Sequence, residues 1–471
     1  MSRYPRDMVG YAGKPPHARW PNDARIAVQF VINYEEGGEN NILHGDAASE
    51  AFLSEIVGAQ AWPGQRHMNM ESIYEYGSRA GFWRLHDLFT SRNMPVTVFG
   101  VATAMARNPD AVAAMRAADW EIASHGLKWI DYKDYSAADE RQHIDEAVRL
   151  HTEVTGERPL GMYQGRTSIN TIPQTIAEGG FVYSADVYAD ELPYWSQDED
   201  HQFLMVPYTL DANDMRFATP QGFNSGDQFF SYLKDSFDVL YREGSSAPKM
   251  LSIGLHCRLV GRPGRAAALE RFLDYVRQHE QVWVARRIDI ARHWIKTHPP
   301  KGGFKPSMMP RALFVEAFGD IYEHTPQVAE RSHTQGLTSA HNTASGLHER
   351  MVEVMRAMSK PEKLALIKAH PDLAGRLALA KKLTADSNNE QSSVGLDRLT
   401  PAELERFTTL NDTYRARFGF PFIFAVKGRT KDEIIASFET RIHHSQEAEF
   451  DEALRQIERI GLLRLKDRLP D

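Results

Sequence analysis

What most constrains the fold of this chain is a change of texture near residue 300. From Arg25 to about Ile295, short β-branched or aromatic runs such as IAVQFVINY, VTVFGVA, WEIASHG, FVYSADV, FLMVPYT, MLSIGLH and VWVARR alternate with amphipathic stretches such as ADERQHIDEAVRLHTEV and AAALERFLDYVRQHE. This βα rhythm predicts a parallel sheet, closed or nearly closed as a barrel with helices outside, because parallel strands need crossover connections. The stretch HPPKGGFKPSMMPR, His298 to Arg311, then concentrates proline and glycine without apolar periodicity. Beyond it, LHERMVEVMRAM, PEKLALIKAH, TPAELERFTTLNDTYRARF and EAEFDEALRQIERIGLLRLKDRL all have helical spacing, several opening on Pro or Thr-Pro. The expectation is a barrel over 1–300, a linker over 301–310 and an all-α domain over 311–471. No internal repeat or low-complexity tract interrupts the pattern.

Composition narrows the class. A chain of 471 residues with 42% hydrophobic and 25% charged residues is long enough for two or three domains, each with its own core. The net charge of -8 provides no basic surface suited to nucleic acid. A single cysteine, Cys257, excludes an intrachain disulfide and a Cys-rich zinc site, and fits a reducing compartment. No run of about 18 apolar residues and no secretory h-region is present, so the expected location is cytoplasmic with no membrane partner.

In a βα barrel, chemistry sits at the C-terminal ends of the strands. Glu35 and Glu36 follow IAVQFVINY, His125 follows WEIAS, Tyr163, Gln164 and Arg166 follow PLGM, and His256 follows MLSIGL. A polar residue at one strand end is usually a loop feature. Four converging ends point to a site. The order of these elements resembles the polysaccharide-deacetylase family, which implies a deformed (β/α) barrel. That family's acidic pair is matched here by Glu35-Glu36, and its His-x-x-x-His by His125 to Trp129, so a tryptophan stands where the second metal-binding histidine belongs. An indole has no lone pair for a metal, and a catalytic zinc normally needs three protein ligands. The expectation is therefore a weak divalent site or none, and no other cofactor.

The segments SHGLKWIDY, GMYQGRTSINT, YSADVYADELPYW and LHCRLVGRPGR resemble the allantoinase branch of that family. The resemblance implies opening of the hydantoin ring of allantoin to allantoate without a required metal. Hydrolysis of a cyclic amide needs a base for water, a hold on the oxyanion and a proton for the leaving nitrogen. Glu36 and His125 are the candidates for positioning and deprotonating water, and His256 for the acid. Gln164 and Arg166 are candidates for orienting the ureide, with Trp129 as a stacking wall or a core aromatic. Tyr163 stands at the position of the family's usual arginine, which leaves the oxyanion hold unassigned.

The C-terminal half carries a second set of motifs. LALIKAHPDLAGR leads into Ser387-x-x-Glu390-Gln391 and then FGFPFIFAVKG. A His-Pro step at the end of a helical stretch is commonly just a helix end. The combination, however, resembles the decarboxylase of 2-oxo-4-hydroxy-4-carboxy-5-ureidoimidazoline (OHCU). That resemblance implies His370 as proton donor and Glu390, 20 positions later, as substrate ligand. It further implies Pro371, Ser387 and Gln391 around the substrate, and an apolar wall from Phe422, Ile423 and Val426 whose backbone amides bind ring carbonyls. A cation for the substrate's anionic groups is expected from Arg464, with Arg441 as the alternative.

The two resemblances describe consecutive steps, since the product of the second reaction, (S)-allantoin, is the substrate of the first. The expected function is a bifunctional ureide-pathway enzyme acting on small ureides, with a homo-oligomeric assembly. The alternative is a metal-dependent N-deacetylase whose C-terminal domain serves as an assembly module.

Overall fold

The computed structural model describes residues 6–56, 58–196, 200–370 and 400–471. Its contacts divide the chain into two compact units, Met1–Pro299 and Pro300–Asp471. The N-terminal unit is built on a nine-stranded sheet: β1 (Ile26–Tyr34), β2 (Thr97–Gly100), β3 (Glu121–Ser124), β4 (Gly161–Met162), β5 (Tyr183–Ser184), β6 (Tyr194–Trp195), β7 (Leu204–Met205), β8 (Lys249–His256) and β9 (Val282–Val284). The hydrogen-bonded order is β6-β7-β5-β4-β3-β2-β1-β8, with β9 paired to the start of β1. Every pairing is parallel except β6 with β7. The sheet curls into the expected deformed barrel, and a parallel bridge from Asn213 to Gly254 touches β8.

β1 explains how the unit is layered. All nine of its residues are buried, as a parallel strand covered on both faces requires. Its even positions, Ile26, Val28, Phe30, Ile32 and Tyr34, belong to the apolar core that packs against the helices. Its odd positions point the other way. Gln29 meets Arg287 (2.6 Å), and Asn33 donates to Tyr208 Oη (2.8 Å) and Leu255 O (3.2 Å). Arg287, fully buried, also bonds Ser252 (3.0 Å) and the carbonyl of Pro207 (2.9 Å). Inside this part of the barrel, Gln29, Asn33, Tyr208, Ser252 and Arg287 thus bond to one another or to backbone carbonyls, as burial favours.

The helices Met68–Tyr76 and Phe82–Thr90 are joined by one π-type turn, Gly77–Gly81. Such turns occur often at functional sites. Here the reason is space. A Cβ on Gly77 would come within 2.3 Å of Glu36 Oε1, and one on Gly81 within 2.0 Å of the Cys257 carbonyl oxygen. The two glycines let this segment lie directly on the ends of β1 and β8.

Among the described residues, the C-terminal unit is helical, with helices at Arg311–Phe318, Gln327–Thr334, Ala344–Ala357, Lys360–Ala369, Pro401–Phe418, Lys431–Arg441 and Gln446–Lys466. Reciprocal capping boxes open three of them: Ser359 with Glu362, Thr400 with Glu403 and Thr430 with Glu433. The two that begin with Pro in their first turn use a residue with no N–H to lose. No helix among the described residues is long and apolar enough to cross a membrane.

Gly81→Ala is expected to destabilise the N-terminal unit by about 1–3 kcal/mol, the usual cost of overpacking a tight contact. Gly264→Ala, in a helical position with nothing within 4 Å of the added carbon, is expected to be neutral or slightly stabilising. Urea denaturation of both variants checks the contrast, and equal midpoints would refute the close-packing argument.

Candidate active sites

At the C-terminal end of the barrel, the segments at the ends of β3 and β8 converge on the carboxylate of Glu35. Oε1 lies 3.3 Å from His125 Nε2 and 3.4 Å from His256 Nε2, and Oε2 lies 2.7 Å from Arg258 Nη1. All four residues are buried. Period-two geometry explains the choice of Glu35 over its neighbour. Glu35 continues the odd, inward face of β1, whereas Glu36 continues the even face and turns toward Gly77. Glu36 Oε1 accepts the Arg258 N–H (3.2 Å), and its Oε2 accepts the Glu35 N–H (3.1 Å). The structure therefore brings Glu35, not the expected Glu36, to the histidines.

The two adjacent carboxyls are shifted in opposite directions. Burial opposes the charge of Glu35, but Arg258, His256 and His125 together hold its pKa well below the usual carboxylate range. Burial pushes Glu36 up and the Glu35 charge adds to the rise, with Arg258 only partly offsetting them.

His256 is the second half of a dyad not anticipated from the sequence. Asp214 Oδ1 lies 2.6 Å from His256 Nδ1, and Asp214 Oδ2 accepts the backbone N–H groups of His256 (2.7 Å) and Val260 (2.9 Å). Burial alone would discharge the imidazole. The carboxylates of Glu35 and Asp214 outweigh it and raise its pKa to about 9. At neutral pH His256 is an imidazolium whose Nδ1–H is fixed on Asp214 and whose Nε2–H points at Glu35.

Around this centre, Asp186 accepts the backbone N–H groups of Gln164 (2.8 Å) and Gly165 (2.8 Å), pinning the turn that carries Tyr163, Gln164 and Arg166. Gly126, with φ of 73°, lets Gln164 approach, since a Cβ there would sit 2.6 Å from its amide. Tyr163 stacks on Phe99 and shares a hydrogen bond with Tyr188 (2.9 Å). Arg166 pairs with Glu50 (3.2 Å) and lies 3.8 Å from the Trp129 ring centroid, while Arg258 lies 5.1 Å from the same centroid. Trp129, only 4% exposed, is a platform for two guanidinium groups.

In the C-terminal unit, His370 caps the helix Lys360–Ala369. It is 5% exposed, and its Nδ1 lies 3.0 Å from the Leu366 carbonyl oxygen. That bond assigns the Nδ1 proton and directs Nε2 away from the helix. Pro371, Ser387, Glu390 and Gln391 lie outside the described residues. The aromatic segment after Phe418 is anchored from beneath. Phe422 stacks on Phe438 with centroids 3.6 Å apart, Arg441 Nη1 donates to Ile423 O (2.7 Å), and Ala425 N–H donates to Gln456 (3.0 Å). Val426 is partly buried and its carbonyl accepts the Arg429 N–H (2.9 Å). Arg441 is buried and bound twice to Glu449 Oε1, which also receives Tyr414 Oη. Its charge is consumed by the fold. Arg464 pairs with Glu323 (2.7 Å) and donates to the carbonyls of Asp320 (2.9 Å) and Ile321 (3.1 Å), on a flank that remains partly exposed.

Similarity to known proteins accords with both geometries. The polysaccharide deacetylase family signature covers residues 69–178 and the OHCU decarboxylase signature residues 307–466. The crystal structure of Puue allantoinase is 61% identical, with a TM-score of 0.62, and the match spans 63% of this chain and 99% of that one. A Schizosaccharomyces pombe protein bearing the polysaccharide deacetylase name is 42% identical over 316 residues, 63% of this chain and 98% of the relative. The OHCU decarboxylase of Halalkalicoccus jeotgali is 44% identical over 154 residues, 33% of this chain and 84% of the relative.

The chain belongs to the polysaccharide deacetylase family in its N-terminal unit and to the OHCU decarboxylase family in its C-terminal unit.

The deacetylase family implies a divalent metal, and the residues of this member do not fit one. Trp129 offers no donor atom, and the Glu35 oxygens face a guanidinium and two imidazoles, one of them an imidazolium. Among the described residues, no group of three or more His, Cys, Asp or Glu side chains is arranged to hold a metal.

If the His256 imidazolium is the acid of the deacetylase-type unit, its activity falls as pH rises through about 9, because the proton to be delivered is then lost. Asp214→Asn removes one of the charges that raise this pKa, so the alkaline limb of kcat/KM moves down by at least about one pH unit, toward the ordinary imidazole value. A pH–rate profile unchanged by Asp214→Asn would remove His256 from that role.

Proposed function

We propose that the chain is a bifunctional enzyme of urate degradation: the C-terminal unit decarboxylates OHCU to (S)-allantoin, and the N-terminal unit hydrolyses allantoin to allantoate. The observation that carries this reading is the pairing itself. One unit is 61% identical to an allantoinase and the other 44% identical to an OHCU decarboxylase, and the product of one reaction is the substrate of the other.

In the N-terminal site, Glu35 and His125 hold the attacking water, with His125 receiving its proton. His256 then delivers its Nε2 proton to the ring nitrogen as the carbon–nitrogen bond breaks. Asp214 keeps His256 oriented and charged. Glu36, whose pKa burial raises, fixes the strand end by accepting the backbone N–H groups of Glu35 and Arg258. Gln164 and Arg166 orient the ureide, with Trp129 backing Arg166 rather than stacking alone on the substrate. Metal-dependent deacetylation of an acylated sugar is disfavoured by the same residues, because the Glu35 charge is already neutralised from within the protein.

In the C-terminal site, His370 protonates the carbanion-like centre left by carbon dioxide, through Nε2, since its Nδ1 is bound to the Leu366 carbonyl. Glu390, with Pro371, Ser387 and Gln391, holds the substrate against the Phe422, Ile423 and Val426 wall. The substrate's negative charge falls to Arg464, which is paired with Glu323 but remains partly exposed, whereas Arg441 is buried against Glu449. A cytoplasmic, homo-oligomeric enzyme that needs no added cofactor completes the proposal. Joining the units in one chain keeps the site that consumes allantoin near the one that makes it.

Glu35→Gln and His370→Ala separate the two activities. With chelator-treated protein, Glu35→Gln is expected to abolish allantoate formation from allantoin while decarboxylation of freshly made OHCU persists, and His370→Ala the reverse, each loss being about 10²-fold or more. Loss of both activities in either variant, or dependence of allantoate formation on added divalent metal, would contradict the assignment.

A further inference from the structure

Arg258 is the most unusual side chain in the N-terminal unit. It is fully buried, yet of its five N–H donors only Nε–H has a carbonyl partner, Leu53 O at 3.2 Å. Nη1 touches Glu35 Oε2 at 2.7 Å and Glu36 Oε1 at 3.6 Å without hydrogen-bond alignment, and Nη2 has no hydrogen-bond partner among the described residues. The guanidinium carbon lies 4.3 Å from the Tyr74 ring centroid and 5.1 Å from that of Trp129, so aromatic rings border it. A buried guanidinium with unanswered donors is costly to keep. The cost is recovered when an oxygen that carries, or will acquire, negative charge takes the open donors.

We infer that Arg258 supplies the oxyanion hold of the N-terminal reaction as a permanent cation. The inference rests on the cyclic-amide hydrolase reading and names the group that reading leaves unassigned. Three features carry it. The guanidinium converges with His125 and His256 on the one carboxylate Glu35, so base, acid and cation surround a single reacting centre. Its Nη2 donors are open and water-poor, the condition under which such donors act most strongly on developing charge. And Trp129, which cannot bind a metal, lies where it borders this guanidinium instead.

The step balances without any external group. The water oxygen bonds to the ring carbonyl carbon, and His125 takes one proton from that water. The carbonyl π pair moves onto oxygen, which accepts N–H donation from Arg258. On collapse the carbonyl re-forms, the carbon–nitrogen bond breaks, and the nitrogen takes the proton of His256. Glu35 remains ionised throughout and keeps the guanidinium and both imidazoles in place.

Allantoin turnover by the wild-type chain is measured first, and its absence would remove the hydrolase reading itself. Given turnover, Arg258→Lys, which keeps the charge but loses the planar fork, and Arg258→Ala are expected to lower kcat by about 10²–10³-fold with a much smaller change in KM. Added guanidinium ion at sub-denaturing concentration is expected to restore part of the Arg258→Ala activity, whereas a structural role gives no rescue. A kcat within about threefold of wild type in Arg258→Lys overturns the inference while leaving the hydrolase reading intact. Should neither variant fold, the wild-type protein is tested with carbon-13-labelled hydantoin. A ring carbonyl stretch lowered on binding relative to water supports the inference, and an unchanged or raised frequency overturns it.

Discussion

A carboxylate placed at the end of β1 with almost no access to water cannot stay charged unless the protein surrounds it with cations, and much of the N-terminal unit is organised by that requirement. Glu35 receives Arg258 on one oxygen and two imidazoles on the other. His256 in turn needs Asp214, and Arg258 needs the Leu53 carbonyl and two aromatic rings. The glycines at 77 and 81 exist at a distance of about one atom from this assembly, because a side chain there would displace Glu36 or the Cys257 carbonyl. Removing a single member leaves an uncompensated buried charge, which is far more costly than losing a surface pair.

The C-terminal unit solves a similar problem for a different end. Glu449 is fully buried and carries Arg441, Tyr414 and His444 (2.8 Å) on its two oxygens. Arg441 then reaches the carbonyl of Ile423 and lies over the Phe422 ring. The network converts an extended aromatic segment without regular hydrogen bonding into a fixed wall. This is why Arg441, in the sequence only the alternative to Arg464 as a substrate cation, serves the framework.

How much was legible follows from which signals are local. The alternation of strand and helix patterns, the proline-glycine break after Ile295 and the Pro or Thr-Pro helix starts are short-range, and the corresponding elements are present. His125 and His256 were readable as polar residues closing two strand runs. Glu35 was readable too, had the period of two in IAVQFVINY been carried one step past the strand: Gln29, Asn33 and Glu35 share a face, and Glu36 does not. The same step from His256 to Arg258 crosses the end of β8 and would have marked the arginine. Asp214 carried no such signal. It lies 42 positions before its partner, in a short helical turn with no strand pattern, and only the Asn213–Gly254 bridge beside it brings it to His256.

By itself, the sequence determined the kinds of element, the division between a sheet-containing and a helical half, and the chemistry that a tryptophan at position 129 excludes, because each depends on residue type and spacing along a few turns or strands. Only the tertiary structure decided which of two adjacent glutamates faces the histidines and Arg258, that Glu35 and Asp214 together raise the pKa of His256, and that one arginine is spent on a buried glutamate while another keeps its donors open. Those properties are electrostatic. They depend on distance and on exclusion of water between groups far apart in the chain, and neither quantity exists until the strands have been brought side by side.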